Sequence, residues 1–535
     1  MRREIGLVGL TFVAVGGVLG SGWLFAPLLA SQLAGPAAIV AWGIGAVAML
    51  LLALAFAEIT AMFPVAGGIA RIPQFSHGRL LAMILGWSAW AGYCTTAPIE
   101  VEAALRYASA YVPFLHTGAA GELTLAGNIF ACILLFLFTL INAFGVAWFT
   151  KVNTTLTWFK LIIPLVFVVV VILSRFEPAN YTAHGGFAPY GITGIFAAVA
   201  SGGVAFAFIG FRHAIDMAGE TRDPQRTIPL ALVLAVIICL VVYGGIQVAY
   251  IGGLSAEELA NGWAGIGSTH DVGPLGALAA ALGILWLVSM MNVAAVISPV
   301  GGALVAVGSN GRLAMAIANN GVFPAIFARL NAFGVPMEAL LLNYVVAVVL
   351  FLTMPFGEIV ALNGAAIVLS FIAAPVVVVS LRALAPDVPR SFRIPMVRVI
   401  AGIGFVVATL MIYWSGWDTL WRLLVLIALG LALFAARLAV VGKEDLSPKS
   451  ALWFFPYIVG LSILSVLGGY GGGMELIPHP LDSILAAVLA LAVFVVAVRQ
   501  RISRAEFDRF MEEQREIEIE EYGGVDLADS AVNRA

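Results

Sequence analysis

The sequence predicts an all-α polytopic membrane protein, and three observations predict it. Of 535 residues, 62% are hydrophobic and 11% charged, where a soluble chain carries about 25% charged residues. No water-facing surface can be built from that composition. Uncharged runs such as 161–173 and 484–498 recur along the chain, and a helix crosses a bilayer with roughly 20 apolar residues. These runs lack the alternation over segments of about ten residues that a membrane β-barrel requires.

Hydropathy divides the chain into about fourteen spans. They fall near 5–33, 37–62, 80–111, 124–143, 150–174, 191–219, 227–252, 275–309, 336–354, 359–382, 397–415, 418–437, 451–469 and 482–499. Several exceed the minimum length, which calls for tilt or interruption. The loops support the count. One alternate set holds Arg2, Arg3, Arg71, Arg79, Lys151, Arg222, Arg226, Arg312, Arg329, Arg382, Arg390, Arg393, Lys443 and Lys449. The other holds Glu122, Glu177, Glu257, Glu258, Asp271, Glu358, Asp418, Glu475 and Asp482, with Arg106, Arg175 and Arg422 near its spans. The positive-inside rule assigns the first set to the cytoplasm, and with it both termini.

No short apolar core with a small-residue cleavage site follows Arg2 and Arg3, so this end reads as retained and cytoplasmic. Cys94, Cys132 and Cys239 lie in apolar segments, without metal spacing or disulfide logic. The charged stretch after residue 500 reads as a solvated helix, partly frayed.

Two spans are poorly made as helices. "GGVLGSGWLF", residues 16–25, carries Gly20-Ser21-Gly22 in the middle of the first, and each Gly costs about 1 kcal/mol against Ala in a helix interior. The sixth is interrupted near Ser201–Gly203 and again at Gly210. These are corresponding positions in two five-span halves, 1–5 and 6–10. That is the pattern of an inverted-repeat transporter whose substrate site lies at midplane breaks. Irregular backbone is tolerated in a membrane where it lines a cavity or meets a ligand. N–H groups freed at Gly20, Ser21 and Gly22 suit a carboxylate, and carbonyls freed around Phe206–Gly210 suit an ammonium. Close helix packing is the competing use of such glycines.

Five motifs in order resemble the amino acid–polyamine–organocation permeases. They are "VGGVLGSGWLF" in span 1, "AEITAMFPVAGGIARIPQFSHG" after span 2, "AFAFIGFRHAIDMAGETRDPQRTIPLAL" in and after span 6, "SNGRLAMAIANNGVFPAIFARLNAFGVP" after span 8 and "PDVPRSFRIP" after span 10. The resemblance covers roughly residues 5–440. It implies a broken-helix transporter fold of 5+5 inverted spans working by alternating access. It implies that a substrate carboxylate meets backbone around Ser21 and Gly22, and that the amino group meets carbonyls of Phe206, Ala207 and Ile209. On that reading residues 1–390 form the transport core, 391–500 the peripheral spans 11–14 and 501–535 a cytoplasmic tail. The family usually has twelve spans, so spans 13 and 14 are an extension.

Ionisable residues inside spans are functional candidates. Lys160 stands about 14 Å of helix beyond Lys151, deep for snorkelling. It resembles a lysine of proton-coupled family members that fills a sodium site of sodium-coupled relatives, contacting carbonyls of span 1 and hydroxyls of span 8. Glu100, in span 3, is a second candidate for proton movement. Glu102–Arg106 and Arg212–Asp216 have the i, i+4 spacing of ion pairs. Arg212-His213 departs from the acidic or small residue usual after "GF", and its charge favours an acidic substrate such as aspartate or glutamate. Trp23, Phe208 and Phe211 are candidates for gating or shaping the pocket. Glu58 and Glu220 are expected to pair with Arg71, Arg79, Arg222 or Arg226 in an inner gate.

The reading is an importer of an amino acid by proton symport in the plasma membrane, with an exchanger as the alternative. A channel wants a continuous polar lining, and an intramembrane enzyme a convergent catalytic set; neither pattern is present in the sequence. No nucleotide motif supports ATP drive. The partners expected are the substrate and the lipid bilayer, with no nucleic acid, no cofactor and no metal; protons serve as the coupling ion. The sequence assigns no oligomeric state.

Overall fold

Glycine, proline and short polar stretches divide the apolar runs into helices. The computed structural model describes residues 3–109, 111–117, 122–200, 202–267, 273–354, 356–441 and 446–521. Arg2, Asp271 and Lys443 of the charge pattern fall outside them, as does Ser201.

The first half comprises α1 (Leu7–Val18), α2 (Ala26–Ala34), α3 (Ala38–Met62), α4 (Gly68–Arg71), α5 (Gln74–Ala108), α6 (Leu125–Ala143) and α7 (Val146–Ser174). Then follow α8 (Gly191–Ala200), α9 (Val204–Ala207), α10 (Arg212–Asp216), α11 (Pro224–Gly253), α12 (Gly273–Ala281), α13 (Leu285–Asn319) and α14 (Met337–Thr353). The chain continues through α15 (Phe356–Phe371), α16 (Ala373–Leu384), α17 (Val397–Trp414), α18 (Trp417–Val441), α19 (Phe454–Leu467), α20 (Leu481–Arg499) and α21 (Arg504–Glu521). A two-residue antiparallel ladder, His116–Thr117 with Glu122–Leu123, is the one strand pair among the described residues.

Among the described residues, ten helices are long and apolar enough to cross a membrane, and α1 and α14 are shorter apolar helices. Valine, leucine and phenylalanine side chains stand exposed along α6, α7, α14, α18 and α20, including Phe130, Val169, Val345, Leu429 and Leu491. In a water-soluble protein such surfaces would aggregate; here they are the lipid-facing wall. Two boundaries differ from expectation. The eighth span is α13, which starts at Leu285 after a bend and runs to Asn319, while residues 273–281 form the separate α12. The third span starts earlier, at Gln74, with a kink at Gly78.

α13 packs along α5, α11 along α3, and α15 along α5. α1 lies among α7, α10, α11 and α13. The broken segments are thus walled by long helices, which supply the partners their backbone needs.

Both ends of the described chain meet one face. Glu4 and Ile5 donate their N–H groups to the Glu220 carbonyl, each at 3.0 Å. The tail is docked, against the expectation of a solvated helix: Ile502, Phe507 and Phe510 are buried. Ile502 N–H donates to Ser76 O at 2.9 Å, Arg79 pairs with Glu513 at 2.7 Å, and Arg504 donates to the Leu384 carbonyl. Apolar residues spaced along α21 on its inner face explain the docking better than its net composition does.

Candidate substrate site

The first break begins where α1 runs out of acceptors. Leu19 N–H closes a helical bond to Val15 O at 2.8 Å, and Gly20 N–H turns back to Val18 O at 2.9 Å. Ser21 N–H then leaves the helix and donates to Glu100 Oε2 at 2.8 Å. A Cβ on residue 20 would stand 2.2 Å from Glu100 Oε1, so only glycine lets the carboxylate lie against the break. Gly22 opens a single turn, Gly22–Leu24, and its N–H has no acceptor within that turn. The stranded carbonyls find a hydroxyl: Ser298 Oγ lies 2.8 Å from Leu19 O and 3.0 Å from Gly20 O. Ser298 Oγ also accepts from Trp23 Nε1 at 2.9 Å.

The second break separates α8 from α9 at Gly202 and Gly203, the latter with φ of 80°. The chain reorganises again at Phe208–Phe211 before α10. Here Gly210 touches α1 so closely that a Cβ on it would lie 2.3 Å from Gly17 C and from Val18 N. Tyr243, from α11, places its hydroxyl 2.9 Å from Val18 O and 3.3 Å from Ala207 O. One side chain therefore bridges carbonyls of the two breaks.

Lys160, 2% exposed, reaches the first break from α7 and donates from Nζ to Gly16 O at 2.6 Å. The expected carbonyl of the first span is thus met. The eighth span presents Gly301 to the lysine, and its hydroxyl, Ser298, serves the break instead. Glu100 and Lys160 both reach this break, one on the Ser21 N–H and the other on the Gly16 carbonyl.

A cavity of ≈ 500 Å³ joins the two breaks. Gly20, Ser21, Gly22, Glu100, Ala207, Ile209 and Arg212 line it, with Phe25, Thr96, Asn363 and Trp414. It extends to Met411, Trp414 and Ser415 at the end of α17. Arg212 Nη2 donates to Thr96 Oγ1 at 3.1 Å, while Nε and Nη1 have no hydrogen-bond partner. Asn363 Nδ2 donates to the same threonine oxygen at 2.7 Å.

Three candidates lie elsewhere. Trp23 is buried on Ser298. Phe208 packs on Trp42 and Tyr243, and Phe211 on Phe56 and Phe371. The rings that line the cavity are Phe25 and Trp414 instead. Phe206 lies in α9, and its side chain is outside the described residues. Arg212 and Asp216 form no ion pair; Tyr93 contacts both, donating its hydroxyl to Asp216 and lying with its ring 4.2 Å from Arg212 Cζ.

The acidic residues of the termini face also have other partners than those expected. Arg312 Nε and Nη2 donate to both oxygens of Glu220, at 3.1 and 3.0 Å, with both side chains buried. Glu58 accepts from Arg382 at 2.6 and 2.8 Å, and Arg390 stands 3.5 Å away. Spacing along the chain favoured nearby arginines, whereas the fold brings α13 and α16 across.

Tyr243, Ser298, Thr96, Asn363 and Tyr93 were not singled out from the sequence. Each is an uncharged polar residue in an apolar run, a signal shared with every residue that merely bonds its own helix.

Two interrupted helices meeting at a mostly apolar cavity with a few polar groups, among long apolar helices, define a polytopic membrane protein with a small-molecule-sized pocket at its breaks. The amino acid permease model matches residues 5–461, and the chain belongs to that family, within the amino acid–polyamine–organocation superfamily. It is 33% identical to the glutamate/serine transporter AimA of Bacillus subtilis (strain 168), over 93% of this chain and 94% of the relative. It is also 33% identical to the aspartate-proton symporter of the same organism, over 95% of this chain and 98% of the relative. The branched-chain amino acid permease BcaP is 25% identical over 81% of this chain and 92% of its own length. The family is one of amino acid permeases, and these three relatives are named for amino acid transport.

Proposed function

We propose that the protein imports an acidic amino acid, such as aspartate or glutamate, by proton symport and alternating access. The observation that carries this reading is a pair of charges on one cavity: a guanidinium with two unfilled donors, Arg212, and a carboxylate, Glu100, seated on the Ser21 N–H. An arriving α-carboxylate takes the Ser21 and Gly22 N–H groups, which Glu100 then vacates. Glu100 leaves as the protonated acid, because two carboxylates at one site cannot both stay charged. Substrate and proton thereby travel together. The substrate ammonium faces carbonyls around Phe206, Ala207 and Ile209, and the side-chain carboxylate meets Arg212. Lys160, on Gly16 O, senses the charge of the break and relays the proton. The relatives named as glutamate/serine transporter and aspartate-proton symporter support the substrate class and the coupling ion.

Alternating access moves the breaks against a scaffold. We assign residues 1–390 to a core of 5+5 inverted spans, 391–500 to peripheral spans 11–14 and 501–535 to the tail. That makes fourteen crossings of the plasma membrane with both termini cytoplasmic. The Arg312–Glu220 and Glu58–Arg382 pairs then close the inner gate, and the cavity faces outward. No cofactor or metal enters this reading.

Uptake of labelled aspartate, glutamate, serine and leucine into proteoliposomes tests it. Accumulation of the acidic pair driven by an inside-alkaline gradient is expected. Uptake indifferent to that gradient, but stimulated by internal amino acid, would establish the exchanger instead.

A further inference from the structure

Arg212 and Asp216 stand four residues apart on one short helix, a spacing at which opposite charges pair. Both are buried, at 1% and 0% exposure, and in such surroundings attraction between a guanidinium and a carboxylate is strong. They do not pair. Tyr93 of α5 donates its hydroxyl to Asp216 Oδ2 at 2.6 Å. Its ring lies under the guanidinium, with Arg212 Cζ 4.2 Å from the centroid. Each ion is left with unused capacity: Nε and Nη1 of Arg212 and Oδ1 of Asp216 have no hydrogen-bond partner. Buried polar atoms are seldom left so. Two of the three belong to the guanidinium that lines the cavity, where they face an arriving anion.

We infer that Tyr93 is a positioning residue for substrate selection: it holds Asp216 by its hydroxyl and Arg212 by its ring, and so reserves the guanidinium for a carboxylate of the substrate. The inference rests on the reading of Arg212 as the receptor of the substrate side chain. Without the hydroxyl, Asp216 turns to Arg212 and becomes an internal competitor. With the hydroxyl in place, the cation on the ring face remains orientable and unneutralised.

Tyr93→Phe separates the two halves of this role, because phenylalanine keeps the ring face and loses only the hydroxyl. KM and kcat for aspartate uptake are measured in proteoliposomes for the wild type, Tyr93→Phe, Asp216→Asn, Tyr93→Phe with Asp216→Asn, and Arg212→Gln. The aspartate-induced shift in melting temperature of each purified variant reads binding even where transport is lost. KM in Tyr93→Phe is expected to rise about tenfold, the equivalent of one broken charged contact, with kcat little changed. In the double variant KM returns toward the wild-type value, since asparagine cannot capture the guanidinium. A hydroxyl that only braces the fold would not be rescued by removing its partner's charge. Failure of Asp216→Asn to rescue, with Arg212→Gln still abolishing aspartate binding, overturns the inference and leaves the substrate reading standing. Unchanged aspartate binding in Arg212→Gln overturns both.

Discussion

Two regions of this protein handle buried charge in opposite ways. On the termini face, Glu220 and Arg312 meet through two parallel hydrogen bonds, Nη1 of Arg312 reaches Gly308 O at 2.8 Å, and Ile394 N–H adds a donor to Glu58 at 2.8 Å. Around the breaks, Arg212 and Asp216 keep unfilled atoms, and Glu100 leans on a backbone N–H through one bond. A saturated ion pair is costly to open and holds two elements together. An unsaturated one is costly to leave alone and is relieved by a ligand. On the proposed reading the first is a closure and the second a receptor within the same bundle.

The contrast breaks most readily at the closure. Glu220→Gln leaves the Arg312 guanidinium buried without its counter-charge, and removal of one partner of a buried pair costs about 3–5 kcal/mol. A large loss of thermal stability is expected, and the termini face should become more accessible to labelling of an introduced cysteine. Next is Gly210→Ala. Its methyl must push the two breaks apart, at a cost of about 1–3 kcal/mol for overpacking, and aspartate uptake should fall by more than stability. Tyr243→Phe removes the donor shared by the Val18 and Ala207 carbonyls and should cost about 1 kcal/mol, read as a modest rise in KM with the fold intact. The smallest effect belongs to the tail. There the half-exposed Arg79–Glu513 pair contributes less than about 1 kcal/mol.

The tail also carries a pH signature. Ser503 gives its backbone N–H and hydroxyl to Glu506, each at 2.7 Å, and these bonds hold the Glu506 carboxyl below its usual value. A lowered carboxyl stabilises the folded form above its unfolded pKa of about 4.3, and the contribution is lost as pH falls through the lower folded value. Docking of α21 should therefore weaken below about pH 4, and Glu506→Gln should flatten the profile of hydrogen exchange at the tail.

The sequence shows where the chain must break, because glycines at 20, 22, 202, 203 and 210 cannot be explained by helix propensity. It also shows which residues in a span are costly, Glu100, Lys160 and Arg212 among them. What it hides is which costly residue meets which. Glu58 lies 13 residues from Arg71 in the sequence, yet it binds Arg382, because pairing follows the packing of long helices and not spacing along the chain. Arg212 and Asp216 show the reverse: spacing predicts a pair, and a tyrosine from another helix contacts both instead. Trp23 and Phe208 were legible as large rings at a break, but only the packing of Trp42, Tyr243 and Ser298 decides that they point into the core. The docked tail escaped the sequence because its few buried side chains are outnumbered by charges.

The central claim is that Glu100 gives up the Ser21 N–H by taking a proton, and Glu100→Gln tests it most directly. Glutamine imitates the protonated acid: it can release the Ser21 N–H to the substrate but carries no proton to deliver. The variant should exchange aspartate across proteoliposome membranes at equal concentrations on both sides, yet fail to accumulate it against an inside-alkaline gradient. Accumulation at the wild-type level would contradict the account.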